Sequence, residues 1–454
     1  MSLSKQFLER MESILEKDYE KYLAALEGEV FRAARVNTLK ADAEKLKQFL
    51  PFFTQPTAFC KTSYYIPSVV KGLGNHPLHH AGAFYIQEPS AASVVEAAEI
   101  EEGDYVLDLC AAPGGKSTAA ACKIGSSGLL VSNEFVFSRV KPLVSNIERM
   151  GIANAVVTSA RPDALCGAFK EFFDKVIVDA PCSGEGMFRK ESAAIENWSV
   201  ENVISCAKRQ KEILNSAADT VKKGGKLIYS TCTYAPEENE QVIAQFINEH
   251  PEFEIADIPT NFGQNGIKKL APNTKNIEKT RRVFNFNGGE GHFVAVLKKC
   301  GEKIDSMMIS PPTITTDFKA KEYKIFAEFY KENFEGEIPQ NVYIKGDEVY
   351  ITSFAFKTQE FQIVRSGIFA GTVKKDRFIP EHALFNTPQF LPKRVVDIKC
   401  DSEDIKKYLH GEEIPCDLSL KGYVAIKTEG IFLGFGKASN GTLKNHYPKG
   451  LRLL

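Results

Sequence analysis

Two cysteines and one aspartate follow adjacent strand patterns in the sequence. Asp179 and Cys182 come after the apolar run in FDKVIVDAPCSGEGMFRK, and Cys232 comes after the next such run in GGKLIYSTCTYAPEENE. Because neighbouring parallel strands end at the same edge of a sheet, we expect the two loops to meet. A thiolate is the side chain best suited to add reversibly to carbon 6 of cytosine, and this addition makes carbon 5 nucleophilic. These residues therefore indicate covalent chemistry on a pyrimidine ring.

The second thiol and the aspartate have roles in such a reaction. The adduct must lose the proton on carbon 5 and expel the enzyme, so an acid or base is required, and a second thiol can assist release. Asp179 is placed to hydrogen-bond the ring and to stabilise the charge that develops during addition. The residues alone leave open whether Cys182 or Cys232 attacks. A purely structural role as small buried hydrophobic residues is less favoured, because each cysteine lies in a polar turn.

The remaining cysteines suggest no further chemistry. The chain has 10 cysteines and 8 histidines, with no C-x-x-C pair and no metal-ligand spacing, so neither a disulfide framework nor a metal site is expected. Cys110 lies in the candidate cofactor loop described next. The others are interpreted as small buried hydrophobic residues, namely Cys60, Cys122, Cys166, Cys206, Cys300, Cys400 and Cys416.

A glycine-containing loop is the candidate cofactor site. DLCAAPGGKST, residues 108–118, follows a strand pattern and begins a helix, so its backbone can approach a ligand while helix amide groups point outward. A Walker phosphate loop would need glycine where Cys110 stands, and the dinucleotide pattern G-x-G-x-x-G is absent. S-adenosyl-L-methionine fits best, with Glu134 after the next strand binding its ribose hydroxyls. The alternative is a tight structural turn beside a solvated glutamate.

The elements that must hold these residues alternate regularly. Between residues 104 and 299, short apolar runs such as YVLDL, GLLVS and KLIYS alternate with amphipathic helical stretches, which predicts an α/β, Rossmann-like methyltransferase core at 96–300. Residues 1–95 form an N-terminal α+β module that we expect to bind RNA. A proline-containing linker and a small α+β module occupy 301–360, and a β-rich, RNA-binding module occupies 361–454.

Composition narrows the class of protein. The chain has 454 residues, of which 43% are hydrophobic and 25% are charged, with a net charge of −1. No uncharged run approaches membrane-spanning length and no signal peptide is recognisable, so we expect a cytoplasmic protein without a membrane partner. The net charge argues against a protein that binds RNA or another polyanion over its whole surface, but local basic patches remain compatible with it.

Basic residues near the carboxyl end are candidate RNA contacts. The last 23 residues, from FLGFGK onwards, contain four Lys or Arg residues and no acid, interleaved with aromatic residues, which suits backbone contact and base stacking. A further basic run lies in TVKKDRF. The residues of RVNTL near residue 35 either contact RNA or form capping and pairing contacts of the N-terminal module. The alternative is that short basic runs are solvated. The candidate RNA contacts are Arg35, Asn37, Lys374, Lys375, Arg377, Lys444, His446, Tyr447, Lys449 and Arg452.

The motifs together resemble the NOL1/NOP2/Sun family of RNA cytosine-5 methyltransferases, and within it the bacterial enzymes of 16S ribosomal RNA. The resemblance covers ARVNTLK, AGAFYIQEPSA, DLCAAPGGKST, NEFVFSRVKPLVSNIERMG, VDAPCSGEGMFRK, YSTCTYAPEENE, GEGHFVAVL and KNHYPKGLR. It implies that Cys232 is the nucleophile, that Cys182 assists release and that Asp179 contacts the base. It also implies a PUA-like module from about Phe361, and an acid after the third strand, for which Asp163 is the candidate.

The cofactor contacts that the resemblance implies are Cys110, Ala111, Ala112, Pro113, Gly114, Gly115, Lys116, Glu134, Asp163 and Asp179. The expected activity is methylation of carbon 5 of cytosine in 16S ribosomal RNA, free or in a 30S particle, by a monomer. The alternatives are a transfer RNA cytosine-5 methyltransferase and an RNA-binding assembly factor that has lost catalysis.

Overall fold

The computed structural model describes residues 3–302, 315–352, 354 and 360–453. Most of the linker predicted after residue 300 lies outside these ranges. No helix within them is long and apolar enough to cross a membrane. The fold is an α/β core with a small module before it and two β-containing modules after it, as the alternation of strand and helix patterns predicts.

The N-terminal module is a three-stranded antiparallel sheet with short helices. Ser4 begins the first helix, because its hydroxyl accepts a hydrogen bond from the amide of Phe7 at 3.2 Å. The sheet order is β2-β1-β3. The elements are α1 (Lys5–Leu15), α2 (Tyr19–Leu26), β1 (Ala33–Val36), α3 (Ala43–Lys47), β2 (Ser63–Tyr65), α4 (Pro77–His80), β3 (Phe84–Gln87) and α5 (Ser93–Ala97).

The first two helices pack on the loops that carry the cysteines. Phe7 and Tyr22 are buried in one cluster with Phe188 and Tyr234, which lie a few residues beyond Cys182 and Cys232. Tyr22 meets the ring of Tyr234 edge to face at 5.8 Å. Residues far apart in the chain thereby brace the two loops.

A ten-stranded sheet forms the core, in the order β10-β11-β12-β8-β7-β4-β5-β6-β15, with β9 beside β12. The strands from β4 to β8 are parallel, and those from β9 to β12 run antiparallel to their neighbours. Strands β4, β5 and β6 are added towards one edge of the sheet, and β7 and β8 are added towards the other. The order of strands therefore reverses between β4 and β7, and α/β proteins bind ligands at such a point. The elements are β4 (Tyr105–Asp108), α6 (Gly115–Ile124), β5 (Leu129–Asn133), α7 (Phe137–Arg149), β6 (Ala155–Ser159), α8 (Pro162–Ala168), β7 (Phe173–Asp179), α9 (Ser192–Glu196), α10 (Val200–Ala218), β8 (Val221–Thr231), α11 (Glu240–Glu249), β9 (Phe253–Ile255), β10 (Gln264–Asn265), β11 (Arg281–Val283) and β12 (His292–Lys299).

The two modules that follow the core do not meet at residue 361, where the sequence predicted their boundary. The four-stranded sheet of the first module, β13-β14-β16-β17, takes strands from both sides of that boundary, and β15 instead pairs with β6 at the edge of the core sheet. Tyr350 of β14 stands opposite Phe369 of β16, and their rings, with centroids 5.0 Å apart, stabilise this strand pair. The elements are α12 (Lys321–Asn333), β13 (Val342–Lys345), β14 (Glu348–Ile351), β15 (Gln362–Ser366), β16 (Ile368–Lys374), β17 (Arg377–Pro380) and α13 (His382–Asn386).

A five-stranded sheet in the order β18-β20-β21-β22-β19 ends the chain. Its interior is continuous with the N-terminal module, since Ile426 and Leu433 are buried in one cluster with Val36 and Phe84. The elements are β18 (Val395–Ile398), α14 (Glu403–His410), β19 (Ile414–Pro415), β20 (Gly422–Thr428), β21 (Ile431–Ser439) and β22 (Thr442–Asn445).

Candidate active site

The two cysteines meet at the carboxyl end of the parallel strands. Cys182 follows β7 and Cys232 follows β8, and the two strands are paired so that Asp179 stands opposite Ser230. The two sulfur atoms are 3.2 Å apart. The contact with Cys232 and then burial raise the pKa of the Cys182 thiol well above its ordinary value. Cys182 is therefore a neutral thiol that can donate a hydrogen bond to the sulfur of Cys232.

The loops are held together by their backbones. The amide of Gly186 donates to the carbonyl oxygen of Cys232 at 2.9 Å. A side-chain carbon at position 186 would lie 2.9 Å from that same oxygen and 3.0 Å from Gly291. Only glycine therefore fits between the two loops, and the sulfur contact depends on this close approach.

Glu238 braces the two cysteine loops, and the sequence interpretation missed it. Its buried carboxylate accepts hydrogen bonds from the amide of Ser183 at 3.0 Å and from Gln210 Nε2 at 2.7 Å, and also from the Ser183 hydroxyl. Burial raises the pKa of Glu238 to about 7. The side chain joins the loop after Cys232 to the residue after Cys182, and the acids of APEENE were the available signal.

Asp179, three residues before Cys182, forms an ion pair with Lys116. Lys116 Nζ donates to its Oδ2 at 2.6 Å, and the Ser230 hydroxyl donates to its Oδ1 at 2.7 Å. Burial acts to raise the pKa of Asp179, but the charge of Lys116, that of His292 when its ring is protonated, and these hydrogen bonds outweigh burial and hold the pKa below its ordinary value. Asp179 is therefore an ionised acceptor. Lys116, expected only as a cofactor contact, orients it, and His292 and Ser230 were not anticipated.

The glycine loop and the acids around it fit S-adenosyl-L-methionine. Gly114 has φ of 110° and precedes α6, so the loop turns sharply without a side chain. Burial, with Asp179 and Glu134 as smaller contributors, raises the pKa of Asp108 to about 7, and its buried Oδ1 has no hydrogen-bond partner in the described part of the chain. A cationic ligand relieves this repulsion, and the cofactor carries a sulfonium and an ammonium.

Two predicted cofactor acids differ in their setting. Glu134 is 4% exposed, accepts from the amide of Val136 at 2.8 Å, and faces Arg139 at 3.4 Å. Asp163 lies in the first turn of α8, where its exposed carboxylate pairs with Arg161 at 3.0 Å. Glu134 adjoins the glycine loop because Arg139 also donates to the carbonyl of Ala112 at 2.8 Å. The assignment of Asp163 stays a prediction.

Three predicted RNA contacts lie in the interior instead. Arg35 is 2% exposed and donates to the Thr118 hydroxyl at 2.7 Å, and Asn37 is fully buried and donates to two backbone carbonyls. Tyr447 is also buried and hydrogen-bonds His80 at 2.8 Å. Arg35 and Asn37 thus join the N-terminal module to the core. These three side chains are engaged in hydrogen bonds inside the protein, so they do not form part of an RNA-contacting surface.

The other basic candidates are at the surface in two places. Lys374, Lys375 and Arg377 are exposed on the β16–β17 hairpin, which belongs to the four-stranded sheet and does not extend the last module. In the last module Lys444 and Lys449 are exposed. His446 and Arg452 are half-buried there. Of the cysteines expected to be buried, Cys60, Cys166 and Cys206 are buried, and Cys122, Cys400 and Cys416 are half-buried. Cys300 is exposed, because it lies just past the end of β12.

Comparisons with known proteins agree with this architecture. Residues 95–298 match the family model described as 16S rRNA methyltransferase RsmB/F. Residues 3–89 match the N-terminal domain of 16S rRNA methyltransferase RsmF, 328–386 its first C-terminal domain, and 395–453 its PUA domain. The PUA match thus begins at 395 and not near 361, in agreement with the division between the last two sheets.

Relatives match over nearly the whole chain. The chain is 31% identical to ribosomal RNA small subunit methyltransferase F of Vibrio vulnificus, over 99% of this chain and 97% of the relative. It is also 31% identical to the protein of that name in Shewanella oneidensis, over 95% and 93%.

Solved structures are similar over about two thirds of the chain. A methyltransferase homologue from Pyrococcus horikoshii is 26% identical, with a TM-score of 0.57 over 65% of this chain and 95% of that one. NSun6 from the same organism, solved with the S-adenosylmethionine analogue SFG, is 19% identical with a TM-score of 0.57 over 66% and 99%, which is a likeness of fold.

Proposed function

Because the chain belongs to the RsmB/F family of 16S ribosomal RNA methyltransferases and uses S-adenosyl-L-methionine, we propose that it methylates carbon 5 of cytosine through a covalent adduct with Cys232. The observation that supports this most directly is the 3.2 Å contact between the sulfur atoms of Cys232 and Cys182 beside Asp179. Methylation at a nitrogen or an oxygen needs no thiol. A paired-thiol site is suited to a reaction that both forms and breaks a carbon–sulfur bond.

The roles of the groups follow from their protonation. Cys232 adds to carbon 6 of the ring, while Asp179, held ionised by Lys116, contacts the base. S-adenosyl-L-methionine supplies the methyl group for carbon 5. A base then takes the carbon 5 proton, the electrons of that carbon–hydrogen bond restore the double bond between carbons 5 and 6, and the carbon–sulfur electron pair returns to Cys232. The neutral Cys182 thiol donates its hydrogen bond to that leaving sulfur.

The proposed substrate is 16S ribosomal RNA, free or in a 30S particle, with the target base unstacked so that carbon 6 can be reached. The PUA domain, with Lys444 and Lys449 exposed, supports RNA binding. The site residues described above all come from one chain, so a monomer suffices for the reaction.

The test combines labelled cofactor, 16S ribosomal RNA and three variants. Cys232→Ala is expected to abolish methyl transfer, because burial keeps Cys182, the second thiol of the pair, in its neutral and less nucleophilic form. Cys182→Ala is expected to leave RNA attached to the protein on a denaturing gel, since release fails. Cys300→Ala is the matched control, because this exposed cysteine is remote from the thiol pair in the chain. Normal turnover by Cys232→Ala, or a labelled product other than 5-methylcytosine, would disprove the proposal.

A further inference from the structure

His292 lies next to Asp179 with an unused nitrogen. It begins β12, directly before Phe293, which pairs with Thr231, the neighbour of Cys232 in the chain. The imidazole is 5% exposed, and its Nε2 is 4.0 Å from Asp179 Oδ1. Nε2 has no hydrogen-bond partner among the described residues. A buried polar atom without a partner at a substrate site indicates that the substrate completes it.

The environment of His292 determines what Nε2 offers. Nδ1 lies 3.0 Å from the carbonyl oxygen of Gly291, which can only accept, so Nδ1 carries the proton and Nε2 is an acceptor. Burial and then the charge of Lys116 lower the pKa of His292, against smaller opposing effects of Asp179 and Glu88. The ring is therefore neutral at neutral pH. Its tautomer is set by the Gly291 carbonyl.

Two acceptors thus face each other across the site with no donor between them. Asp179 receives Lys116 on Oδ2 and Ser230 on Oδ1. Because a carboxylate oxygen has two lone pairs, Oδ1 can accept one more hydrogen bond besides that from Ser230. A nitrogen can stand about 3 Å from each of two atoms with this separation, at ordinary hydrogen-bond length. The ligand group that satisfies both acceptors is an amino group with two N–H bonds.

We propose that His292 Nε2 and Asp179 Oδ1 together bind the exocyclic amino group of the target cytosine, so that His292 selects cytosine over uracil. The inference rests on the proposed function and deepens it. Uracil presents a carbonyl oxygen in place of the amino group, and that oxygen would lie against two acceptors. Binding of uracil would leave the buried polar groups of the site unpaired. Such a loss of hydrogen bonds discriminates between two bases far more strongly than a difference in their shape does.

The test uses RNA fragments whose target base is cytosine, 2-pyrimidinone or uracil. 2-Pyrimidinone lacks the amino group and keeps the rest of the ring. For the wild-type protein, removal of the amino group is expected to lower kcat/KM by roughly 10-fold to 100-fold. In His292→Phe, which keeps a flat ring, the preference for cytosine over 2-pyrimidinone is expected to fall by about 10-fold. His292→Gln, whose amide oxygen can accept, should restore part of that preference.

Controls separate the outcomes. His410→Gln, an exposed histidine at the end of α14, should leave the preference unchanged. An unchanged preference in His292→Phe, or a wild type that treats cytosine and 2-pyrimidinone alike, overturns the role of His292. A wild type that methylates RNA but never at carbon 5 overturns the proposed function instead.

A measurement on the wild type alone covers the case in which the Phe variant does not fold. As the pH falls below the usual histidine range, Nε2 gains a proton and becomes a donor, so the preference for cytosine should decline. The charged groups facing the ring during this titration are Asp179, Lys116 and Glu88. A preference that is constant down to acid pH overturns the inference.

Discussion

Glu238 gives the sharpest test of the reasoning about the catalytic loops, through the variant Glu238→Gln. The glutamine oxygen can keep both N–H donors that reach Oε2, from Ser183 and Gln210, while its amide group donates to the Ser183 hydroxyl, which in turn reaches Thr233 at 2.8 Å. The variant therefore keeps the hydrogen bonds and removes only the ionisation. The expected difference from the wild type is one of pH dependence.

The sign and the size of this difference in pH dependence follow from the raised pKa of Glu238. Burial raises the pKa of Glu238 from 4.5 to about 7, so between these values the folded protein keeps a proton that the unfolded chain has lost. The wild type therefore loses stability as the pH rises through this window, and the variant does not. Between about pH 5.5 and about pH 8, the free energy of unfolding of Glu238→Gln should rise relative to that of the wild type by about 2 kcal/mol.

The assay can use the single tryptophan of the chain. Trp198 Nε1 donates to Glu185 at 2.8 Å, and Glu185 in turn accepts from the amide of Tyr234 beyond Cys232. Its fluorescence during urea unfolding thus reports on the catalytic loops. A difference between variant and wild type that stays flat with pH would refute the burial argument. Glu238→Ala is the contrasting variant, because it leaves two buried N–H groups unpaired and should cost roughly 2–6 kcal/mol at every pH.

Three further outcomes are expected. Tyr447→Phe loses only a hydroxyl bonded inside the protein, so unfolding should become easier by about 1 kcal/mol while RNA affinity in filter binding stays unchanged; weakened RNA binding would contradict the interior placement. Arg282→Met leaves the buried carboxylate of Glu240 without its cation, and a thermal or urea melt should show a loss of about 3–5 kcal/mol; a loss below about 1 kcal/mol would contradict this. Lys444→Ala with Lys449→Ala should weaken RNA binding and reduce the salt-dependence slope by about 0.7 per lysine, whereas an unchanged slope would place the RNA elsewhere.

The fold and the thiol site were largely predictable, because both depend on local patterns. Short apolar runs followed by glycine turns specify parallel strands, and residues that follow such strands share one edge. This reasoning located Asp179, Cys182, Cys232 and the glycine loop together. The cofactor and the family were predictable on the same motifs, and the comparisons confirm them.

What the sequence did not reveal depends on contacts between distant residues. Arg35 and Tyr447 carry polar groups in polar stretches, yet each is buried by a module far away in the chain. His292 begins an ordinary strand, and only the arrangement of three strands brings it to Asp179. The boundary near residue 361 was wrong because β15 looks like any edge strand, and pairing partners are not encoded in one strand.

The pairing of β15 with β6 has a consequence for synthesis of the chain. The catalytic sheet ends at β6 until residues 362–366 emerge from the ribosome, more than two hundred positions after β6 itself. During that interval the nascent sheet presents a row of unpaired amide and carbonyl groups, a known template for misassociation. A shortened chain ending near residue 300 would keep Asp179, Cys182 and Cys232 but would leave β6 as an open sheet edge, so residues 362–366 serve as the cap of the sheet that carries the thiols.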